Sequence, residues 1–268
     1  MSTDVAGVVQ IGWPQLLLAT GFVIFVGAVS LRLALGITKD LAIATLRTYA
    51  QLIALGYVLR WIFGIRSPWL VIGVVVLMVV VAASIILRRS PDAPPGIFVS
   101  SAFSMALTGF TVTFAVTGLV VQVHPWYEPR YVIPIAGMVL GNSMTGIALA
   151  LERLFADLDS RTDEVLALTA LGATPWEAAY SSIRDALRAG LIPTINSMAA
   201  AGIVFIPGMM TGQILAGADP VTATGYQIVV MLMVAAATAL GSVTALLMTY
   251  RRRFDADGVF LEKGFRAR

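Results

Sequence analysis

Polar and sulfur-bearing side chains occur inside otherwise apolar stretches of this 268-residue chain. A buried polar group in a lipid-facing helix is costly unless it is paired or lines a wet path. One interpretation is therefore a route for a polar solute, and the other is interhelical hydrogen bonding worth about 1 kcal/mol for each bond. The candidate pathway residues are Arg47, Gln51, Asn142, Asn196, Pro207, Met209, Met210 and Gln213.

Met209 and Met210 follow a Pro-Gly pair, which adds two further hypotheses. Thioether sulfur binds soft metals, but methionine is also a common gap-filler between packed helices. Pro207 followed by Gly208 is expected to interrupt a helix, and the freed backbone carbonyls must then line a cavity or be buried in protein. We expect a gate at that interruption. The sequence assigns no metal-ligand set, and no catalytic residue is expected.

The elements that must position these residues are transmembrane helices. Hydrophobic residues make up 58% of the chain and charged residues 12%, against about 25% charged in a typical soluble domain. Cysteine is absent from the sequence, which excludes disulfides and thiolate metal sites. The N-terminal residues lack a basic region and include Asp4, so the first apolar run is expected to be retained as a span.

Seven runs contain about 20 apolar residues each, the length that crosses a bilayer. The sequence therefore predicts an all-α polytopic integral membrane protein with about seven transmembrane helices, organised as a single transmembrane domain over residues 1–268. A connection of about residues 152–189 separates the fifth run from the sixth. The runs cover roughly 14–35, 42–64, 68–87, 96–122, 131–151, 190–215 and 222–250.

The distribution of Lys and Arg near the span ends predicts the orientation. One side of the membrane carries only Arg66 and Arg130 in its connections. We expect the N-terminus on that outer side and the C-terminus in the cytoplasm. Because this bias also explains the net charge of +3, no nucleic-acid partner is expected. The other side carries Lys39, Arg88, Arg89, Arg153, Arg161, Arg184, Arg188, Arg251, Arg252 and Arg253.

The sequence contains no obvious energy source of its own. All 15 acidic residues fall outside the seven runs, whereas proton-driven carriers usually place Asp, Glu or His inside the membrane. His124 lies in an outer loop, and neither Lys39 nor Lys263 completes a phosphate-binding loop. If ATP drives this protein, a separate subunit must bind ATP and Mg²⁺. This chain is expected to bind no cofactor.

The connection before the sixth run contains an amphipathic segment with strong helix boundaries, residues 164–183, which we call the bracket. Gly172 is typical of a helix end, while Thr174, Pro175 and Glu177 fit the start of a second short helix with a capping box. We interpret the bracket as a stiff contact for a partner; the alternative is a surface loop packed on the protein's own helix ends. Its apolar residues, spaced by three and four, are Val165, Leu166, Leu168, Leu171, Trp176, Ala179, Tyr180 and Ile183.

The bracket sequence "ALGATPWEAA", with "LIPTI" beyond it, resembles the coupling-helix motif of ATP-binding-cassette permeases. Nearly the whole chain is similar to FetB-type permeases, the membrane subunits of an iron-export transporter, which the aluminium-tolerance permeases of plants also resemble. The motifs that carry this resemblance are "LRTYAQLIALGYVLRWIFG", "YVIPIAGMVLGNSMTGIALAL", "LGATPWEAA", "IRDALRAGLIPTINSM" and "PGMMTGQILAGADPVTATGYQIVVMLM".

The resemblance implies a permease subunit that lacks its own ATPase site, sits in the cytoplasmic (inner) membrane and exports a metal ion such as iron. It also implies an ABC ATPase partner of the FetA type and a complex of two permeases with two ATPases. The ATPase-coupling residues would be Glu164, Leu168, Leu171, Gly172, Thr174, Pro175, Trp176 and Glu177.

Three alternatives stay open on the sequence. Gly137 and Gly141 form a G-x-x-x-G pattern that fits a contact between two permeases, and internal packing explains it equally well. An ATP-independent secondary carrier or channel for a metal or small solute is disfavoured by the missing acidic relay and by the bracket. A membrane scaffold that transports nothing is disfavoured because polar residues recur in the middle of the apolar runs.

Overall fold

The computed structural model describes residues 11–65, 67–89, 94–255 and 257–261. Asp4, Arg66 and Lys263 of the sequence argument lie outside these ranges. A π-helical turn, Val116–Val120, continues the fourth helix, and a 3-10 turn, Tyr250–Arg253, continues the last one. The α-helices of the described ranges are α1 (Trp13–Arg32), α2 (Thr38–Ile62), α3 (Pro68–Arg89), α4 (Ile97–Ala115), α5 (Pro129–Ser160), α6 (Thr162–Ala170), α7 (Pro175–Ala200), α8 (Gly208–Leu215) and α9 (Pro220–Thr249).

Within the described part of the chain, six helices are long and apolar enough to cross a membrane: α1, α2, α3, α4, α5 and α9. Apart from two isolated bridges, the same ranges contain no β-structure. The prediction of an all-α polytopic membrane protein is confirmed.

The predicted crossing over 190–215 is wrong as a single helix. The helix α7 begins at Pro175, inside the bracket, and ends at Ala200, while α8 begins only at Gly208. Residues 201–207 form a turn in which the Gly202 amide donates to the Phe205 carbonyl at 2.9 Å. The helix is therefore interrupted before Gly208 as predicted, but the interruption already begins after Ala200. Hydropathy could not reveal it, because the apolar residues of the turn read like those of a helix.

The described residues divide into two compact units by their contacts. The first unit consists of residues 11–65 and 209–223, and its helices α1 and α2 are exposed on most sides. The hydroxyl of Tyr49 on α2 donates to the backbone carbonyl of Leu16 on α1 at 2.8 Å, which fixes the two helices side by side. The second unit consists of residues 67–208 and 224–261 and contains the main hydrophobic core.

Glycines set the closest helix contacts in the second unit. A Cβ atom on Gly190 of α7 would lie 2.7 Å from the carbonyl oxygen of Gly146 on α5. One on Gly146 would lie 2.4 Å from the methyl group of Thr238 on α9. These helices can therefore approach this closely only because both residues lack a side chain.

The G-x-x-x-G pair of the sequence argument does not form that contact. A Cβ atom on Gly137 would meet only Met78 at 3.5 Å, and one on Gly141 would meet nothing within 4 Å. Both glycines instead line a shallow apolar groove between α3 and α5. The helix α5 also runs past its predicted end at 151 to Ser160, which carries the core of the second unit out to the bracket.

Candidate functional site

The turn between α6 and α7 is closed by two local hydrogen-bonding motifs. The amide of Ala173 donates to the Leu168 carbonyl and the amide of Gly172 to the Thr169 carbonyl, both at 3.0 Å. This is a Schellman ending, and Gly172 fits it because its φ of +93° is unfavourable for residues with a side chain. The prediction that a helix ends at Gly172 is confirmed.

The start of α7 is capped as the sequence predicts. The Glu177 amide donates to the Thr174 hydroxyl at 3.3 Å, and the Thr174 amide donates to the Glu177 carboxylate at 2.8 Å. With Pro175 in the first turn, this reciprocal pair satisfies amides that the helix leaves unbonded. Good caps typically contribute about 1 kcal/mol each. The second helix of the bracket is nevertheless not short, since it continues to Ala200.

Arg161 ties the bracket to the end of α5. Its guanidinium donates to Glu164 at 2.8 Å and forms an ion pair with Asp157 at 3.5 Å. It also donates to the hydroxyl of Ser182 on α7 at 3.0 Å. Ser182 in turn donates to Asp157 at 2.7 Å, which closes the network. One side chain thus fixes the relative positions of α5, α6 and α7.

The hydrogen bonds of this region shift three pKa values. The hydrogen bond from Arg161 lowers the pKa of the Glu164 carboxyl, and the same bond raises the pKa of the Arg161 guanidinium. The backbone and hydroxyl hydrogen bonds from Thr174 lower the pKa of the Glu177 carboxyl. Both carboxyl groups are therefore held in their charged forms, which supports the cap and the network at neutral pH.

The bracket presents only part of its apolar surface to solvent. The expectation that Val165, Ala179 and Ile183 face a partner is wrong, because all three are buried in the core of the second unit. Leu168 is half-buried and packs against the same core. The alternative of packing on the protein's own helix ends is thus correct for this inner face. The exposed residues are Leu171 at 86%, Trp176 at 40% and Tyr180 at 52% of their full accessible surface.

Residues 250–261, which we call the C-terminal hook, complete this surface. Trp176 makes an edge-to-face contact with Tyr180 at 5.6 Å and another with Tyr250 of the hook at 5.7 Å. A Cβ atom on Gly258 would lie only 3.4 Å from the ring of Pro175, so the hook passes directly over the start of α7. The bracket and the hook therefore form one continuous surface from two distant parts of the chain.

A buried arginine anchors the hook to α5. Arg253 is only 5% exposed, forms an ion pair with Asp159 and stacks over the Phe260 ring at 5.2 Å. Phe260 packs edge-to-face against Phe254 at 5.4 Å. The sequence analysis used Arg253 only for orientation and did not identify the hook. The available signal was the pair of aromatic residues that follows the three arginines.

The predicted pathway residues are divided between the two units. Arg47, Gln51, Met209, Met210 and Gln213 belong to the first unit, and Asn142, Asn196 and Pro207 to the second.

The amides of this set behave differently from interhelical bonding groups. Gln51, Asn142 and Asn196 are all exposed, and the Asn142 amide donates to the Met138 carbonyl of its own helix at 2.8 Å. Gln213 is half-buried, and its Oε1 has no hydrogen-bond partner in the described ranges. Arg47 is exposed, Met209 and Met210 are half-buried, and Pro207 is buried. The three exposed amides lie on helix surfaces that the chain leaves uncovered.

The sequence analysis missed a set of hydroxyls inside the second unit. Their oxygens are buried and have no hydrogen-bond partner among the described residues. The spacing of Ser100, Ser104 and Thr108 by four was the available signal, but it fits intrahelical bonding equally well. The unpartnered hydroxyls are those of Ser100, Ser101, Thr108, Thr113, Ser143, Thr238 and Ser242.

Side chains typical of a tight metal site do not converge in the described ranges, where no three His, Asp or Glu residues come together.

Comparison with known proteins places this geometry in context. A family model described as an uncharacterised protein family, UPF0014, matches residues 13–254. The chain is 37% identical to the UPF0014 membrane protein YjkA of Bacillus subtilis over 82% of this chain and 86% of that protein. It is 35% identical to the "Probable iron export permease protein FetB" of Escherichia coli, covering 90% and 92% respectively. It is 33% identical to "Protein ALUMINUM SENSITIVE 3" of Arabidopsis thaliana, covering 81% and 78%. No solved structure matches the chain.

Proposed function

Because the chain belongs to the UPF0014 family of membrane proteins, we propose that it is the membrane-spanning permease subunit of an ATP-driven transporter that exports a metal ion such as iron. The name of its Escherichia coli relative supports both the permease role and iron as cargo. ATP and Mg²⁺ bind to a separate FetA-type ABC ATPase. The complex lies in the cytoplasmic (inner) membrane, with the bracket and the C-terminus on the cytoplasmic side.

The observation that carries the proposal is the exposed surface of the bracket. Leu171, Trp176 and Tyr180 offer an aliphatic and aromatic patch on helices whose ends are capped and whose positions Arg161 fixes. Trp and Tyr are the residue types that most often dominate a protein contact. A stiff patch of this kind transmits a partner's movement to α5 and α7, whereas a flexible loop would absorb it.

The exposed amides support a complex of two permeases. Gln51 lies near the middle of α2 and Asn142 near the middle of α5, and this chain leaves both uncovered. Amides facing hydrocarbon are costly, so these surfaces are better suited to a second permease or to a wet pathway than to lipid. We assign Gln51, Asn142 and Asn196 to the pathway, with the interruption before Met209 and Met210 as its gate.

The proposal is tested by coexpressing the chain with a candidate ATPase that has no spans of its own. We expect the two proteins to copurify, and inside-out vesicles with the complex to accumulate Fe²⁺ only when ATP is supplied. An ATPase variant that cannot hydrolyse ATP is the control. Uptake that proceeds equally with the inactive ATPase would support the ATP-independent carrier instead and overturn the proposal.

The orientation has a separate test, which uses one position in each of three connections. In the cysteine-free chain, Trp126→Cys and Ala218→Cys should react with an impermeant thiol reagent added outside intact cells, while Ser160→Cys should not. Ala218→Cys should differ from Ser160→Cys because α9 begins at Pro220 and ends beside the bracket, so its start lies on the opposite side of the membrane. Labelling of Ser160→Cys would refute the cytoplasmic bracket.

A further inference from the structure

A long groove runs along the seam between α1 and α2 in the first unit. Its volume is about 690 Å³, within the range of ligand sites in proteins. Its walls are mainly aliphatic, with contributions such as Leu17, Val23, Ile24, Leu41 and Leu46. The groove therefore accepts hydrocarbon.

The few hydroxyls in the groove are already engaged. Each donates a hydrogen bond within the helix pair, so none has a free O–H donor for a polar solute. This feature separates the groove from the pathway amides, which are exposed and available. The bonds run from Thr20 and Tyr49 to the Leu16 carbonyl at 3.0 and 2.8 Å, from Thr38 to Ser30 at 3.0 Å and from Thr45 to the Leu41 carbonyl at 2.7 Å.

A second cavity of about 450 Å³ adjoins one end of the groove and has a different lining. Trp13 and Leu16 line both spaces, so the two lie next to each other along the seam. Tyr57 and Arg60 line the second cavity, and Arg60 forms no ion pair with any carboxylate in the described part of the chain. The hydrocarbon groove is thus followed along the seam by an indole, a phenol and a cation that has no carboxylate partner in the described ranges.

This order of chemistry matches a phospholipid. Trp and Tyr are enriched where a membrane protein meets the headgroup region, and the planar guanidinium of Arg binds phosphate oxygens in pairs. An acyl chain fills an aliphatic groove that offers no free hydroxyl donor. A polar solute fits the Arg60 end but not the rest of the groove.

We propose that the seam between α1 and α2 binds one phospholipid, with an acyl chain in the aliphatic groove and the phosphate of an anionic headgroup at Arg60. A helix of a second permease is the competing occupant. Such a helix would fill the groove but would leave the Arg60 guanidinium without an anion unless a carboxylate from one of the connections reached it. The lipid supplies both the missing anion and the hydrocarbon. This site does not depend on the proposed function.

Two substitutions address the two halves of the site. A Cβ atom on Gly27 meets nothing within 4 Å, so Gly27→Phe fills the groove without a clash in the helix pair. Gly21 is equally free of close neighbours on the same helix but does not line the groove, which makes Gly21→Phe the matched control. Arg60→Gln removes the cation near the end of α2. Arg32→Gln, at the end of α1 and outside both cavity linings, is its control.

The experiment is native mass spectrometry of the purified chain titrated with phosphatidylglycerol or phosphatidylcholine of identical acyl chains. We expect about fivefold preference for phosphatidylglycerol, the effect of one basic residue near an anionic headgroup. Arg60→Gln should abolish the preference, and Gly27→Phe should weaken binding of both lipids about tenfold. Both controls should bind like the native chain. Glycerol phosphate should not compete, because it lacks the acyl chain.

Three results would overturn the proposal. The first is equal binding of the two lipids by the native chain, and the second is unchanged preference in Arg60→Gln. The third is a Gly27→Phe variant that binds lipid normally but no longer associates with a second copy, which would assign the groove to the contact between permeases. Circular dichroism of each variant confirms that the comparison is made between folded proteins.

Discussion

The polar side chains of the bracket and the amides in the middles of the spans differ in whether they form hydrogen bonds with other side chains in the described ranges. In the bracket, Thr174 and Glu177 cap each other, and Arg161 satisfies Asp157 and Glu164. In the spans, Gln51 and Asn142 are exposed, and the Asn142 amide donates to a carbonyl of its own helix. The polar groups of the bracket find partners within the chain, whereas these amides of the spans remain exposed.

The difference follows from the solvent of each region. Water competes for every polar group of the bracket, so only local, geometrically favourable bonds hold its shape. Hydrocarbon does not compete, so an uncovered amide in a span requires another protein surface or a wet path. The bracket is therefore expected to tolerate little change in its shape, and the spans little change in their polarity.

The largest effect is expected at the exposed face of the bracket. Trp176→Asp places a charge in the centre of the proposed contact and should reduce ATPase copurification by at least about 30-fold, because a central Trp often contributes 2 kcal/mol or more. Trp126→Asp, in the loop before α5 and also about half exposed, is the matched control. Equal copurification of both variants would place the contact elsewhere.

The backbone conformation of the turn at Gly172 gives a second test of the same contact. Gly172→Pro should also separate the two proteins, because proline cannot adopt a positive φ and removes the amide that bonds to Thr169. Gly172→Asn should retain most of the contact, since Asn tolerates the left-handed conformation. If both variants behave alike, the shape of the turn does not matter.

The next largest effect is expected in the spans. Asn142→Leu, Gln51→Leu and Asn196→Leu should each lower metal flux per assembled complex by about tenfold, which corresponds to about 1.4 kcal/mol. The melting temperature should barely change for Asn142→Leu, because this amide bonds only within its own helix. Asn142→Gln, which keeps an amide, is the control. Full flux with a lowered melting temperature would assign these residues to structure.

A smaller effect is expected where the hook meets α5. Arg253→Leu leaves the Asp159 carboxylate without its partner and should lower the free energy of unfolding by about 1 kcal/mol, since Asp159 is still reached by water. The exposed Arg252→Leu should change it less. In the double variant Arg253→Leu/Asp159→Leu part of the loss should be recovered. Additive losses would show that the two residues act separately.

The smallest effect is expected from the titration of Glu177. Its pKa is lower in the folded protein than in the unfolded chain, so its stabilising contribution is present above its unfolded pKa of about 4.3. That contribution is lost as the pH falls through the folded value. Amide exchange at the start of α7, corrected for the intrinsic rate, should therefore accelerate from pH 7 to pH 3. Glu177→Gln should show no such pH step, and an identical step in that variant would exclude Glu177 as its cause.

The sequence predicted features that depend on residues close together in the chain, and it missed features that depend on residues far apart in the chain. The ends of the bracket helices were predictable, because Gly172 and the Thr174–Glu177 pair act within a few residues. The membrane-spanning helices α1 to α5 and α9 were predictable from apolar length. The turn at 201–207 was not, because an apolar turn and an apolar helix have the same composition.

The tertiary structure decided the features that depend on distant neighbours. The sequence placed Val165 and Trp176 on the same amphipathic pattern, yet only packing against α5 and the hook determined that the first is buried and the second exposed. The sequence pointed to the Gly137–Gly141 spacing, but α5 and α7 make their close approach at Gly146 and Gly190.

The sequence by itself determined that this is a polytopic helical membrane protein with a capped bracket, because hydropathy and caps act over one or a few helical turns. Only the tertiary structure decided which bracket residues reach solvent, that the C-terminal hook joins them, and that the amides of the spans are left uncovered. Burial is a property of the neighbours that a side chain meets, and residues such as Trp176 and Tyr250 lie 74 positions apart in the chain.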